Sequence, residues 1–143
     1  LFSGLITTIN LSDNIDQGHS HFYGEVLRVK PVAQMVNRSN HVFVIFDELF
    51  RGTNVKDAFD ASSAIIAAFA DVKSCFFVVS THIIEVAHQL ANNDGINFRY
   101  METTFTSDYP LNSYQLKEGI TEERLGMWTV NNERILEIIK GET

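Results

Sequence analysis

Two adjacent carboxylates, Asp47 and Glu48, follow the apolar run Val42-Phe43-Val44-Ile45-Phe46. In an open α/β sheet, ligands gather at the carboxyl ends of the strands, so acidic residues placed there face a crevice. Asp47 suits Mg²⁺, a hard cation that takes one or two carboxylates and fills its other positions with phosphate oxygens and water. Glu48 suits a second task, orienting or deprotonating an attacking water. This is the Walker B pattern of nucleotide hydrolysis. The plainer alternative is that the pair caps the next element or faces solvent. A second apolar run, Cys75-Phe76-Phe77-Val78-Val79, leads into Ser80-Thr81-His82. If the two runs are neighbouring strands, His82 approaches the crevice of Glu48, where it can contact a terminal phosphate or hold the water. Helix capping or packing is the alternative for a lone histidine.

Other reactive side chains carry less. His82 and His88 lie six apart, which is not a metal-ligand spacing on one helical face, and zinc is not expected there. His19 and His21 form a pair without a nearby third ligand. Cys75 is the single cysteine of the chain. Its apolar neighbours favour a buried structural thiol over a nucleophile, since no polar activator lies close in sequence.

The elements that must position these groups follow from periodicity. The runs at 41–46 and 75–79 are β-branched and aromatic, and their length suits strands buried on both faces of a parallel sheet. Between them, Ala58, Ala61, Ile65, Ala68 and Phe69 recur at helical spacing across 57–70. Strand, helix, strand is a βαβ unit, and such crossovers are right-handed. Upstream, Phe22, Val26, Val29, Ala33 and Val36 predict a helix that Pro31 should kink or divide. Downstream, Ile83, Ile84, Ala87, Leu90 and Ala91 mark another amphipathic helix, ended by a turn at Asn92-Asn93-Asp94-Gly95. Residues 96–106 and 113–117 read as a hairpin turning near Asp108-Tyr109-Pro110. A short helix at 132–140, with Ile135, Ile138 and Ile139 inward, closes the chain.

Composition narrows the possibilities. With 143 residues the chain suits one compact domain rather than two. Eleven Phe against two Pro and eight Gly argue against disorder. No apolar run approaches a membrane span. The formal charge is −7 and the basic residues are scattered, so direct contact between this segment and DNA phosphates is disfavoured. The lone cysteine fits a reducing cytoplasm. The first residues, Leu1-Phe2-Ser3-Gly4-Leu5, carry neither an initiator Met nor a basic stretch and read as a cut inside a longer protein.

At this point the chain resembles the MutS family of mismatch-repair ATPases. Val42-Phe43-Val44-Ile45-Phe46-Asp47-Glu48-Leu49-Phe50-Arg51-Gly52-Thr53-Asn54, with Asp57 beyond, is similar to the family's Walker B strand and D-loop. Ser80-Thr81-His82 resembles its Thr-His switch. Asp13-Asn14-Ile15-Asp16-Gln17-Gly18-His19-Ser20-His21-Phe22, with Glu25 after it, resembles its signature segment. Tyr114-Gln115-Leu116-Lys117-Glu118-Gly119 resembles the strand and turn after the ATPase core.

The resemblance implies an α/β fold, a P-loop NTPase-like (ABC-type) three-layer sandwich. Residues 1–143 would be the C-terminal part of the ATPase domain, truncated so that the Walker A strand, loop and helix are missing. It implies ATP and Mg²⁺ as cofactors, with Asp47 on the metal and Glu48 and His82 as catalytic groups. It further implies a head-to-tail homodimer in the full-length protein, DNA engaged through other domains, and no membrane. Across that dimer, Gly18, Ser20, His21 and Glu25 would reach the partner's nucleotide in trans. Ser20, at a helix start beside free amides, suits an anion. Arg51, Gly52, Thr53 and Asn54 would lie at the interface.

Three departures stand beside the match. No Gly-x-x-x-x-Gly-Lys-Ser/Thr occurs in the 143 residues, so this segment alone should bind ATP poorly or not at all. His19, His21, Tyr23 and Pro31 are unusual for mismatch-repair members. The stretch from Leu125-Gly126-Met127-Trp128 to Ile135 departs from the family's final segment. A divergent branch is implied, whose substrate need not be mismatched DNA. Another ABC-class ATPase is an alternative, although Gln17-Gly18-His19-Ser20 stands where a transporter subunit carries Leu-Ser-Gly-Gly-Gln. A catalytically silent dimerisation module and a metal-dependent hydrolase built on Asp47, Glu48 and His82 are further alternatives.

Overall fold

A computed structural model describes residues 2–9, 21–38, 41–106, 110–122 and 125–141. They divide into two units, residues 1–96 and 97–143. The first unit carries the candidate site. It is a three-stranded parallel sheet, β1 (Gly4–Thr8), β2 (Val42–Asp47) and β3 (Phe76–Ser80), in that order, with β2 central. Helix α1 (His21–Arg38) connects β1 to β2, α2 (Val55–Ala70) connects β2 to β3, and α3 (Ile84–Leu90) follows β3. The register sets Leu5 beside Phe43 and Phe43 beside Phe76, and it sets Asp47 beside Ser80. The chain is therefore α/β, with the βαβ unit where the two apolar runs predict it.

Alternation along β2 divides the sheet into two faces. Val42, Val44 and Phe46 are at most 1% exposed and face the helices. Phe46 stacks on Phe69 of α2, and Phe69 stacks on Phe77 of β3. α2 packs on β3 and α3. Val29 of α1 lines a cavity with Phe46, so α1 covers the same face. The other face is more open: Leu5, Phe76 and Val78 are exposed, and Phe2 lies against Phe43 and Phe76. The expectation of strands buried on both faces is thus corrected. The described elements of this unit make two layers, and the apolar side chains that promised a second cover remain accessible.

Several local expectations also change. β1 is a strand that no periodic pattern predicts, although Leu5, Ile6 and Thr7 are strand-favouring residues. Pro31 neither ends nor divides α1, which runs unbroken for 18 residues. Proline removes one amide donor and crowds the preceding turn. Here Pro31 is on the exposed face, where the carbonyl it strands can turn to water. The buried stripe of α1 is Val29, Val32 and Val36, whereas Val26 and Ala33 are exposed. α3 buries Val86 and Leu90 and follows a buried Ile83. Its turn, residues 91–95, closes tightly: a Cβ on Gly95 would lie 3.1 Å from the Ala70 carbonyl oxygen. Cys75 is half-buried rather than buried, with its sulfur 3.9 Å from the Ser74 hydroxyl.

The second unit holds an antiparallel hairpin of β4 (Arg99–Phe105) and β5 (Pro110–Glu118), then α4 (Leu125–Asn132) and α5 (Ile135–Lys140). β5 starts earlier than expected, and its turn at 107–109 lies outside the described residues. A bulge interrupts the ladder between Met101 and Thr103, with Tyr114 opposite at φ 56°. The expected closing helix at 132–140 is present as α5, shortened to Ile135–Lys140 because Arg134, at φ 52°, takes a left-handed conformation that no helix interior accepts, and α4 precedes it, upstream of the expected range. Ile135, Ile138 and Ile139, expected inward, are all exposed. Among the described residues, no helix is long and apolar enough to cross a membrane.

Candidate functional site

The site lies at the carboxyl ends of β2 and β3. β2 delivers Asp47 as its last residue, with an exposed side chain. Parallel pairing brings Ser80 alongside, and the Ser80 hydroxyl donates to Asp47 Oδ1 at 2.5 Å. That is the short geometry of a hydroxyl on a charged carboxylate. The Glu48 amide donates to the Ser80 carbonyl at 3.1 Å and lies 3.2 Å from the Ser80 hydroxyl. One serine at the end of β3 thus holds both members of the acidic pair.

Beyond β2 the chain turns sharply. Glu48 and Phe50 sit at φ 50° and 61°, a left-handed region that non-glycine residues visit at a cost of about 1–3 kcal/mol each. Burial of Leu49 and Phe50 anchors the turn, and the buried Ser62 hydroxyl of α2 faces the Leu49 carbonyl at 3.5 Å. The turn lifts the Glu48 carboxylate to the surface, where two basic side chains approach it. Arg51 Nη1 bonds Oε2 at 3.2 Å, and His82 Nδ1 lies 3.9 Å from Oε1. The histidine is within ion-pair reach and beyond hydrogen-bond reach. Its backbone is placed by a local turn in which the Thr81 hydroxyl accepts the Ile83 amide at 3.0 Å.

The loop after Glu48 is held from α1. The Arg51 amide donates to Glu25 Oε1 and the Gly52 amide to Glu25 Oε2, both at 3.1 Å. One turn earlier on α1, the Phe22 ring packs on Phe50 with centroids 5.4 Å apart. The loop then enters α2 through a cap: Asn54 Oδ1 accepts the Asp57 amide at 2.9 Å, and the Asn54 side-chain amide donates to Asp57 at 2.6 Å. A cavity of about 30 Å³ opens at the ends of β1 and β2, lined by Thr8, Glu25, Arg28, Asp47 and Glu48 among others.

The structure therefore brings Asp47, Glu48, His82, Arg51, Gly52 and Glu25 together. Thr53 is half-buried in the same loop, and Asn54 is spent on capping α2. His21 opens α1, while Gly18 and Ser20, with the rest of residues 10–20, lie outside the described residues. Both carboxylate oxygens of Glu25 are engaged by amides of its own chain. Ser80, in sequence only a neighbour of His82, is a further member of the site. Its pairing with Asp47 depends on strand register, which no local pattern announces.

Comparison with known proteins decides the kinship. The family model described as MutS domain V matches residues 1–140. The chain belongs to the MutS family. Relatives agree with that. The mouse MutS protein homolog 4 is 30% identical over 127 residues, covering 84% of this chain and 13% of that protein. The DNA mismatch repair protein MutS of Bacillus subtilis is 28% identical over 130 residues, covering 89% of this chain and 15% of that protein. The DNA mismatch repair protein MSH3 of Saccharomyces cerevisiae is 28% identical over 134 residues, with 89% and 13% covered. The chain thus spans only 13–15% of these MutS-family relatives.

Proposed function

We propose that this chain is the C-terminal part of an ATP-binding and ATP-hydrolysing domain in a larger, cytoplasmic MutS-like DNA-repair protein. The observation that carries the reading is the convergence of Asp47, Glu48 and His82 at the carboxyl edge of adjacent parallel strands, with Ser80 bonded to Asp47. A P-loop NTPase-like (ABC-type) three-layer sandwich is the architecture proposed for the whole domain. The exposed apolar side chains Leu5, Phe76 and Val78 support it, since such a face calls for a further layer.

The donor set fits Mg²⁺ held jointly with nucleotide. Asp47 offers a hard, exposed carboxylate oxygen, and among the described residues no group of three or more His, Cys, Asp or Glu could hold a metal alone. An ion that keeps waters and takes phosphate oxygens needs only one or two protein carboxylates. When bound it would neutralise developing phosphate charge. Asp47 would hold it; Glu48 would orient the attacking water and accept its proton; His82 would donate a hydrogen bond to the terminal phosphate or to that water. Gly18, Ser20 and His21 are assigned to the nucleotide of a second, head-to-tail subunit, and Arg51, Gly52 and Thr53 to the interface between the two. DNA is engaged through domains beyond this chain, in keeping with its charge of −7.

The reading is tested by nucleotide binding to the full-length protein, with and without Mg²⁺, for the parent and Asp47→Ala. Mg²⁺-dependent ATP binding that Asp47→Ala weakens is the expected result. Equal binding by both proteins would remove Asp47 from the site, and no ATP binding by the parent would leave a dimerisation module without catalysis.

A further inference from the structure

The strained turn at Glu48 and Phe50 persists only if its surroundings over-determine it. Much of that restraint comes from one face of α1. Phe22 and Glu25 are three residues apart and share that face. Phe22 packs on Phe50, and Glu25 sets one carboxylate oxygen on each of two consecutive amides, those of Arg51 and Gly52. Bonds from amides to a charged acceptor are stronger than neutral ones. They run between residues 26 and 27 positions apart in sequence. Arg51, whose amide is held in this way, uses its guanidinium to bond Glu48 at 3.2 Å. A continuous chain of contacts leads from α1 through Glu25 and Arg51 to the Glu48 carboxylate.

We propose that Glu25 is a positioning residue acting within its own subunit, tying α1 to the loop that aims Glu48, rather than a ligand for the partner's nucleotide. The proposal rests on the ATP-hydrolysing reading of Glu48.

The test uses the full-length dimer. Glu25→Ala is expected to lower kcat roughly tenfold, as loss of hydrogen bonds to a charged group does, with KM within about a factor of two. Glu25→Gln, which keeps one acceptor, should fall between. Mixed dimers separate action within a subunit from action across the interface. With Glu25→Ala and Glu48→Gln on different subunits, both sites fail; with both on one subunit, the other site works and about half the activity survives. The reverse pattern would overturn the proposal and return Glu25 to the partner's nucleotide. Should the parent show no ATP turnover, the ATPase reading falls instead. Amide hydrogen exchange over residues 48–54 then still decides the clamp: faster exchange in Glu25→Gln supports it, and unchanged exchange rejects it.

Discussion

Ser80 has three tasks at one atom and its own backbone. It ends β3, donates its proton to Asp47, and presents oxygen atoms to the Glu48 amide. Hydroxyls that orient a metal-binding carboxylate usually matter about tenfold or more for metal affinity. Ser80→Ala in the full-length protein should therefore raise the Mg²⁺ concentration for half-maximal ATP turnover about tenfold. The alanine methyl fits the same space, so folding should be spared; a Mg²⁺ titration followed by phosphate release measures it. An unchanged Mg²⁺ requirement would show that Asp47 is held adequately by the strand alone. Arg51 and His82 flank Glu48 differently: the arginine forms a hydrogen-bonded ion pair, while the histidine stands 3.9 Å away and stays available to a ligand.

The elements around this site obey local rules in some places and override them in others. Asn54 caps α2 by accepting the Asp57 amide, and Asn54→Ala should destabilise the protein by about 1 kcal/mol, read from urea unfolding. Pro31 works against its helix. Because it is exposed and inside α1, Pro31→Ala should stabilise by about 1–2 kcal/mol, the recovered helix propensity less the entropy regained by the unfolded chain. A loss of stability on that substitution would mean the ring packs usefully. β2, α2 and β3 were legible in the sequence because short apolar runs and a helical stripe leave little choice of period. β1 was not, being a brief run of mixed polarity that becomes a strand through pairing with β2. The α1 stripe departs from expectation at Val26 and Ala33, which are exposed, and at Val32, which is buried, since valines and alanines occur on both faces. The inward placement of Ile135, Ile138 and Ile139 fails although all three lie within α5, since a helical stripe shows which residues share a face and not what covers that face. Within the site, Asp47, Glu48 and His82 were visible as strand-end residues. The grip of Glu25 on the loop was not, because it depends on how α1 lies over the sheet.

At the scale of the molecule, an apolar sheet face stays accessible. Leu5, Phe76 and Val78 are 64%, 54% and 43% exposed. Exposed contiguous apolar surface drives association. This segment produced alone should self-associate, and Val78→Lys should shift its sedimentation toward monomer; a parent already monomeric would contradict this. In the full-length protein the same face suits a further layer of structure. The charge of −7 and the scattered basic residues disfavour DNA contact by this segment, and the proposed part it plays is the chemistry of nucleotide hydrolysis. That chemistry is the central claim, and Glu48→Gln tests it most directly. The substitution keeps the size of the side chain and removes its capacity to take a proton. Measured beside the parent in the full-length protein, it should retain Mg²⁺-dependent ATP binding while turnover falls roughly a hundredfold or more. Turnover equal to the parent would contradict Glu48 as the group acting on water.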